Sequence, residues 1–412
     1  MRVLFLSPEF VWPADRGLRV RALSQLRVIS AIPEVTRITF VSLTDAEIAP
    51  DRLRALEAAV PKLQAAAPIP GPARVRSSGR SLLRFARLRL LHQQPYLVAQ
   101  GNSPAMHARL RSLLAASAYD VVYLGYIGMA AYLPVVRAHA RGARVVLEEH
   151  NVEWRIFDVL ASSLAPPMRQ VVRGEALALR RFERRLLRAV DSVIAISDAD
   201  AEGLAELSGV SPVVVRPFVE PGRPRVEAAA GPHLGYIGHL GWQPNTLGLD
   251  WFCREVWPLL RQRVPAATLT IAGPGLPKGP DGALAVPRAW CQPGVRTVGF
   301  VESLQDIYGA TLGMVAPVVG GSGVRMKLLE TMSAGMATVT TPDGAAGLGV
   351  THGREVLIAG EPAAFVESVV RVLSDASLRA RLREAGYAFL AERHSERAAV
   401  HAVRRAFAMS GG

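Results

Sequence analysis

The feature that most constrains this chain is an alternation of short β-branched runs with helical stretches, delivered twice. Arg2–Ser7 (RVLFLS) reads as a buried strand, followed by a loop over residues 8–17, a helix from about Leu18 to Ser30 and a second strand at Thr36–Ser42. Strands are expected again at Val121–Leu124, Arg144–Glu148 and Ser192–Ile196, and Val213–Arg216 closes the half. Glu153–Arg188 reads as helical and heavily charged, and Ser197 and Asp198 supply caps for the helix behind their strand. Short apolar runs separated by helical segments are the pattern of parallel sheets covered on both faces.

Residues 217–232 break this grammar. Their run FVEPGRPRVEAAAG is rich in Pro, Gly and Ala and reads as an interdomain linker. The pattern then restarts, with strands at Leu234–Ile237, Thr268–Ala272, Val295–Val298, Gly313–Pro317 and Thr338–Thr341. Helices are expected at Asn245–Arg263, Met326–Ala334, Phe365–Ser374 and Ser377–Glu392. The expected organisation is α/β: a domain over residues 1–216, a linker over 217–232, a second domain over 233–392, and a carboxyl-terminal helix over 393–412 that returns to the first domain. Two doubly wound units joined by a hinge place a ligand between the carboxyl ends of their strands.

Composition bounds the chemistry. The chain has 412 residues and a formal net charge of +13, yet only Lys62, Lys278 and Lys327 among its 48 basic residues are lysines. Cys253 and Cys291 cannot build a disulfide framework, and no Cys/His cluster suggests a metal, which fits a reducing cytoplasm. The amino terminus reads as a strand rather than a secretion signal, and no apolar stretch is long enough to suggest a membrane span. Arg74, Arg76, Arg80, Arg84, Arg87 and Arg89 interleave with leucines, a pattern that suits either an ordinary solvated helix or peripheral contact with an anionic membrane. Nucleic-acid binding is not expected, because no aromatic-interleaved basic motif accompanies the charge.

The chemistry concentrates in residues 316–335. An apolar strand ends near Pro317, Gly320, Gly321, Ser322 and Gly323 follow, and a helix begins. Small residues let backbone N–H groups approach an anion, and a helix start adds a positive dipole end. Arg325 offers a fork of donors suited to phosphate and Lys327 a mobile charge. Lys327 and Glu330 are three apart and share a helical face, so the carboxylate is placed for ribose hydroxyls rather than for phosphate. The bland alternative is a glycine-rich turn followed by a surface ion pair. The spacing matches neither GxGxxG nor a Walker loop.

These residues carry a resemblance. GGSGVRMKLLETMSAGMATVTTPDGAAGL, with YIGHLGWQPNTLGLDWF, ATLTIAGPG, VRTVGFVESL, EEHNVEW, DSVIAISDAD and WPADRGLRVR, is similar to the retaining glycosyltransferases of the GT-B fold, group 1 or family 4 type. The resemblance covers nearly the whole chain. It implies two Rossmann-like domains facing across a cleft whose closure excludes water, and sugar transfer from a nucleoside-diphosphate sugar to a hydroxyl acceptor with retention. It also implies no metal or other cofactor, in agreement with the lack of a well-placed DxD motif; a UDP-sugar is the favoured donor.

Site roles follow by motif. Glu330 matches the second glutamate of the family's E-x7-E pair and should bind ribose, while the first glutamate is replaced by Ser322. The family's cations after the first strand of the second domain are missing from Gly238-His239-Leu240-Gly241-Trp242, leaving Arg325 and Lys327 to hold the diphosphate. Gly299, Phe300 and Val301 match the base-reading loop, and Gly238 and His239 border the donor. His150 matches a histidine near the donor sugar, and Gly17 a glycine near acceptor and phosphate. His150, Arg325 and Lys327 are the expected catalytic residues. Trp242, Pro244 and Asn245 read equally as turn and cap residues, His150 as a helix cap, and Glu153 as an exposed partner of nearby arginines. Glu148 and Glu149 are adjacent in a strand and so point opposite ways. Two other functions fit the same motifs: a sugar-nucleotide epimerase on this fold, and a non-catalytic nucleotide-sugar-binding partner protein. The expected location is cytoplasmic, with peripheral contact at the inner membrane face through residues 74–89.

Overall fold

A computed structural model of the chain describes residues 1–14, 17–71, 94–162, 164–219, 222, 231–279, 282–320 and 325–409. The arginine-rich residues 74–89, most of the expected linker, and Gly321, Ser322 and Gly323 lie outside the described residues. The chain divides into two compact units, Met1–Pro217 with Arg397–Gly412, and Phe218–Glu396.

The first unit is an eight-stranded sheet. Its strands are β1 (Arg2–Ser7), β2 (Arg37–Thr44), β3 (Leu63–Ala65), β4 (Ile69–Pro70), β5 (Val121–Leu124), β6 (Arg144–Glu149), β7 (Ser192–Ala195) and β8 (Val213–Val214). Their order is β3-β2-β1-β5-β6-β7-β8, with β4 on β2, and every pair is parallel. The strands read as unbroken apolar runs because both faces are covered; Val3, Leu4, Phe5 and Leu6 are all fully buried. The final helix, Glu396–Ala406, belongs to this unit from Arg397 onward. Beyond it, Phe407 packs edge-on to Tyr123, and Arg144 Nε donates to the Ala406 carbonyl at 2.9 Å.

The second unit has six parallel strands: β9 (His233–Ile237), β10 (Thr268–Ala272), β11 (Val295–Gly299), β12 (Gly313–Ala316), β13 (Thr338–Thr340) and β14 (Leu357–Ile358). They are ordered β11-β10-β9-β12-β13-β14. In each sheet the order reverses beside the first strand, between β1 and β5 and between β9 and β12. Loops leaving two such strands splay apart and open a crevice at their carboxyl ends. The chain leaves β9 through residues 238–242 and β12 through residues 317–320, so the topology brings Gly320 to the same end of the sheet as Gly238 and His239. Val219 and Gly222, inside the expected linker, are already hydrogen-bonded to the His394 and Ser333 carbonyls of this unit.

The main departure from the expected elements lies in Asn245–Arg263. Here a helix over Gln243–Trp251 passes through a π-helical turn, Phe252–Val256, into a helix over Trp257–Arg263. Pro258 has no N–H to offer the Arg254 carbonyl and its ring crowds that turn, so the wider turn absorbs the mismatch. The edge strands β3, β4 and β14 are two or three residues long, too short to leave a periodic signal. No helix among the described residues is long and apolar enough to cross a membrane.

The Gln243–Trp251 helix lies on the loop after β12 through Gly248, where a β-carbon would come within 2.2 Å of the Pro317 carbonyl oxygen. Gly248→Val should therefore lower stability by about 1–3 kcal/mol. Thermal unfolding should show a melting temperature lower by several degrees, and an unchanged one would mean the contact is not tight.

Candidate functional site

In the second unit the loops after β9 and β12 converge on one cation. Lys327, in the helix Met326–Ser333, donates from Nζ to the Tyr236 hydroxyl at 2.9 Å and to Asn245 Oδ1 at 2.6 Å. The ammonium also lies 4.6 Å from the centroid of the Tyr236 ring. Asn245 is oriented by its own amide, which donates to the His239 carbonyl at 3.0 Å. A β-carbon at Gly238 would meet the Tyr236 hydroxyl at 2.9 Å and Lys327 Nζ at 3.1 Å, so a side chain there would displace the hydroxyl or the ammonium by a few tenths of an ångström. Burial, then the Arg325 guanidinium, lowers the Lys327 pKa to about 7, with Glu330 opposing. The side chain is thus poised between charged and neutral near neutral pH.

Arg325 precedes that helix and is buried. It donates from Nη2 to the Gly320 carbonyl at 3.1 Å and lies 5.5 Å over the ring of half-exposed Trp242. Asp343 closes the same turn, accepting from Gly320 N–H at 2.7 Å, with Gly320 in the left-handed region at φ 69°. Glu330 is exposed on the Lys327 side of the helix. The surface ion pair read as the bland alternative does not form between them; the Lys327 ammonium goes to Tyr236 and Asn245 instead. The residues that the resemblance assigns to a base-reading loop, from Gly299 to Val301, join the same rim. Gly273 N–H donates to the Gly299 carbonyl at 2.6 Å, and a β-carbon on Gly273 would overlap the Gly238 carbonyl oxygen. Phe300 beside it is 71% exposed, an apolar ring held in water, and Val301 is partly buried.

In the first unit His150 follows β6, partly buried, its ring centroid 5.4 Å from that of Tyr126. Its Nε2 lies 3.8 Å from Glu148 Oε2 and makes no hydrogen bond among the described residues, so it does not cap the following helix. Glu148 is fully buried. It accepts from Arg21 Nε at 2.6 Å, Gln25 Nε2 at 2.9 Å and the Tyr123 hydroxyl at 2.8 Å. Burial pushes its carboxyl up, but Arg21 and then His150 and Gln25 outweigh it and bring the pKa to about 2. Arg21 also donates to the Val215 carbonyl at 2.6 Å, which ties the helix Gly17–Ala31, strand β6 and the exit from β8 into one network. Gly17 opens that helix at the surface with open space around it.

Glu149 faces the other way, as strand alternation requires. It is fully buried and neither oxygen finds a partner among the described residues. Burial, then Glu183 and Glu153, holds its carboxyl well above the usual range. Glu153, read from the sequence as exposed, is buried, because Glu183 accepts from the Glu153 and Trp154 N–H groups and draws that helix start inward. Sequence reasoning therefore missed Tyr236, Asn245, Asp343, Arg21 and Glu183. Tyr236, Asn245, Asp343 and Arg21 all lie inside quoted motifs, but only Asn245 was weighed individually, as a turn or cap residue, and Glu183 lies outside them. Among the described residues no group of His, Cys, Asp and Glu side chains is arranged to hold a metal ion.

Comparisons with known proteins agree with this architecture. The family described as Glycosyl transferase 4-like domain matches residues 14–219, half of the chain, and the one described as Glycosyl transferases group 1 matches residues 231–375. The chain belongs to the group 1 glycosyltransferases of the GT-B fold. A Klebsiella pneumoniae protein described as an uncharacterized 44.6 kDa protein in the cps region is 26% identical over 165 residues, 39% of this chain and 42% of that one. The chain thus matches about two fifths of that relative's length. Among solved structures, Anabaena Alr3699/HepE in complex with UDP shares the fold at TM-score 0.65 and 15% identity, over 99% of this chain and 100% of that one. The sucrose-phosphate synthase of Thermosynechococcus elongatus does so at 0.66 and 15%, with the same coverage. TarM does so at 0.67 and 10%, over 98% of each chain. At these identities the likeness is one of fold.

The Glu148 network makes a prediction within the first unit. Arg21→Met leaves a buried carboxylate without its counter-charge and should cost about 3–5 kcal/mol in denaturant unfolding at pH 7. With its pKa lowered from the usual 4.5 to about 2, Glu148 contributes stability that is present above pH 4.5 and lost as the pH falls toward 2. An Arg21→Met variant as stable as the native chain at pH 7 would break this account.

Proposed function

We propose that the protein transfers a sugar from a nucleoside-diphosphate sugar to a hydroxyl acceptor with retention of anomeric configuration, and that UDP is the nucleotide. The observation that carries this reading is the pair of cations, Lys327 and Arg325, held at the switch point between β9 and β12. Lys327 is enclosed by Tyr236 and Asn245, and Arg325 is buried and donates to the Gly320 carbonyl. Partly desolvated cations fixed at a strand-to-helix turn suit a diphosphate, whose charge grows as the glycosidic bond breaks. The UDP in solved structures of the HepE neighbour supports the choice of base.

In this reading the Gly320–Gly323 turn, Arg325 and Lys327 take the phosphates. Glu330 takes the ribose hydroxyls, and Gly299, Phe300 and Val301 border the base. Gly238 and His239 flank the diphosphate, His150 lies near the transferred sugar and Gly17 near acceptor and phosphate. The bond from the anomeric carbon to the β-phosphate oxygen breaks while the acceptor oxygen bonds to that carbon on the same face. The acceptor proton passes to the departing phosphate oxygen, so no side-chain base is assigned and none of the steps calls for a metal. The reading places the chain in the cytoplasm, with residues 74–89 at the inner membrane face.

Two measurements test the site. Glu330→Ala should weaken UDP binding roughly tenfold or more in calorimetry, as loss of hydrogen bonds to a charged acceptor implies. Unchanged affinity would remove Glu330 from the ribose. A bound diphosphate also favours the charged form of Lys327, whose pKa of about 7 must then rise. Above pH 7, UDP binding should take up a proton, with affinity falling by up to about tenfold per pH unit until the bound pKa is reached. Lys327→Met should abolish that slope, and an identical slope in the variant would place the diphosphate elsewhere.

A further inference from the structure

The hairpin of helices Glu153–Ser162 and Met168–Ala189 in the first unit has a surface that sugar transfer does not explain. Of eleven exposed large apolar side chains among the described residues, five lie on it: Val159 at 72%, Val171 at 59%, Met168 at 53%, Leu177 at 50% and Leu160 at 47%. Four of them cluster at the hairpin tip. Met168 and Val171 stand on the side that later residues of the same helix, such as Leu179 and Leu186, bury in the core. The first turns of that helix therefore carry an inward-type apolar face that stands exposed among the described residues.

The outer side of the helix is basic. Arg169, Arg173, Arg180, Arg181, Arg184, Arg185 and Arg188 are all exposed, while its two acids, Glu175 and Glu183, are buried. Glu175 accepts from the Tyr96 N–H and Glu183 from the start of the preceding helix, so neither neutralises the outer face. Arg169 and Arg173, with Ala161 and Ser162, line a shallow cavity at the tip, next to the exposed apolar side chains. Arg173 has Asp158 4.0 Å away, and Arg169 donates to the Leu164 carbonyl.

We infer that this hairpin docks on an anionic phospholipid bilayer, its apolar tip entering the headgroup region and its arginines meeting lipid phosphates. Apolar tips beside a dense arginine face suit that interface. A second copy of the chain fits poorly, since a two-fold contact would bring the same arginines onto themselves. A single-stranded nucleic acid fits poorly too, because the hairpin's aromatic rings, Trp154, Phe157 and Phe182, are each partly buried rather than presented as stacking platforms. The inference stands apart from the proposed role of residues 74–89.

The test is co-sedimentation of the full chain with vesicles of phosphatidylcholine alone and of an equal mixture with phosphatidylglycerol. Binding is expected to the mixed vesicles only and to weaken with added salt. A triple substitution of exposed positions, Val159→Ser, Met168→Ser and Val171→Ser, should lower it roughly tenfold with the melting temperature unchanged. Arg180→Gln with Arg184→Gln and Arg185→Gln should flatten its salt dependence. The inference is overturned if both variants bind as the native chain does, if phosphatidylcholine alone binds equally well, or if the serine variant instead dissolves a dimer. Loss of binding only on Arg84→Gln with Arg87→Gln would also overturn it, while leaving the peripheral role of residues 74–89 intact.

Discussion

The second unit is organised around one ammonium group. Lys327 could extend into water from the first turn of its helix. Instead it is folded inward onto a tyrosine hydroxyl from β9 and an asparagine from the next helix. That arrangement favours glycine at 238, fixes Asn245 through the His239 carbonyl, and couples the loops after β9 and β12. Burial of the ammonium, with the Arg325 guanidinium nearby, works against its charged form and brings its pKa down to about 7. A site that strains its own cation gains most when an anion arrives, and the proposed diphosphate fits that demand.

Much of this was legible in the sequence. The strands Arg2–Ser7, Val121–Leu124 and Thr268–Ala272 match their expected bounds because unbroken apolar runs between turn residues leave little ambiguity. Ser197 caps its helix through Asp200 N–H, as a serine at that position should. The short edge strands were hidden because two or three residues carry no period. The π-helical turn was hidden because its cause, Pro258, reads equally as a plain helix start.

The candidate site was legible in its charged residues and illegible in its polar supports. Lys327, Arg325 and Glu330 announce themselves by type and spacing. Tyr236 looks like any strand residue, and Asp343 lies in a different loop from the turn it closes. Glu153 was misread for a related reason: surrounding arginines suggest solvent, whereas the carboxyl that draws it inward, Glu183, sits thirty residues further along the chain. The arginines of that second helix do face outward, and its acids do not, a segregation that composition alone conceals.

The most direct test of the central claim is a crystal structure of the protein with UDP bound. The account predicts phosphate oxygens within about 3 Å of Lys327 Nζ and of the Arg325 guanidinium, at charge-assisted hydrogen-bond distance. A UDP whose diphosphate contacts neither side chain, with Lys327 still bonded only to Tyr236 and Asn245, would contradict it.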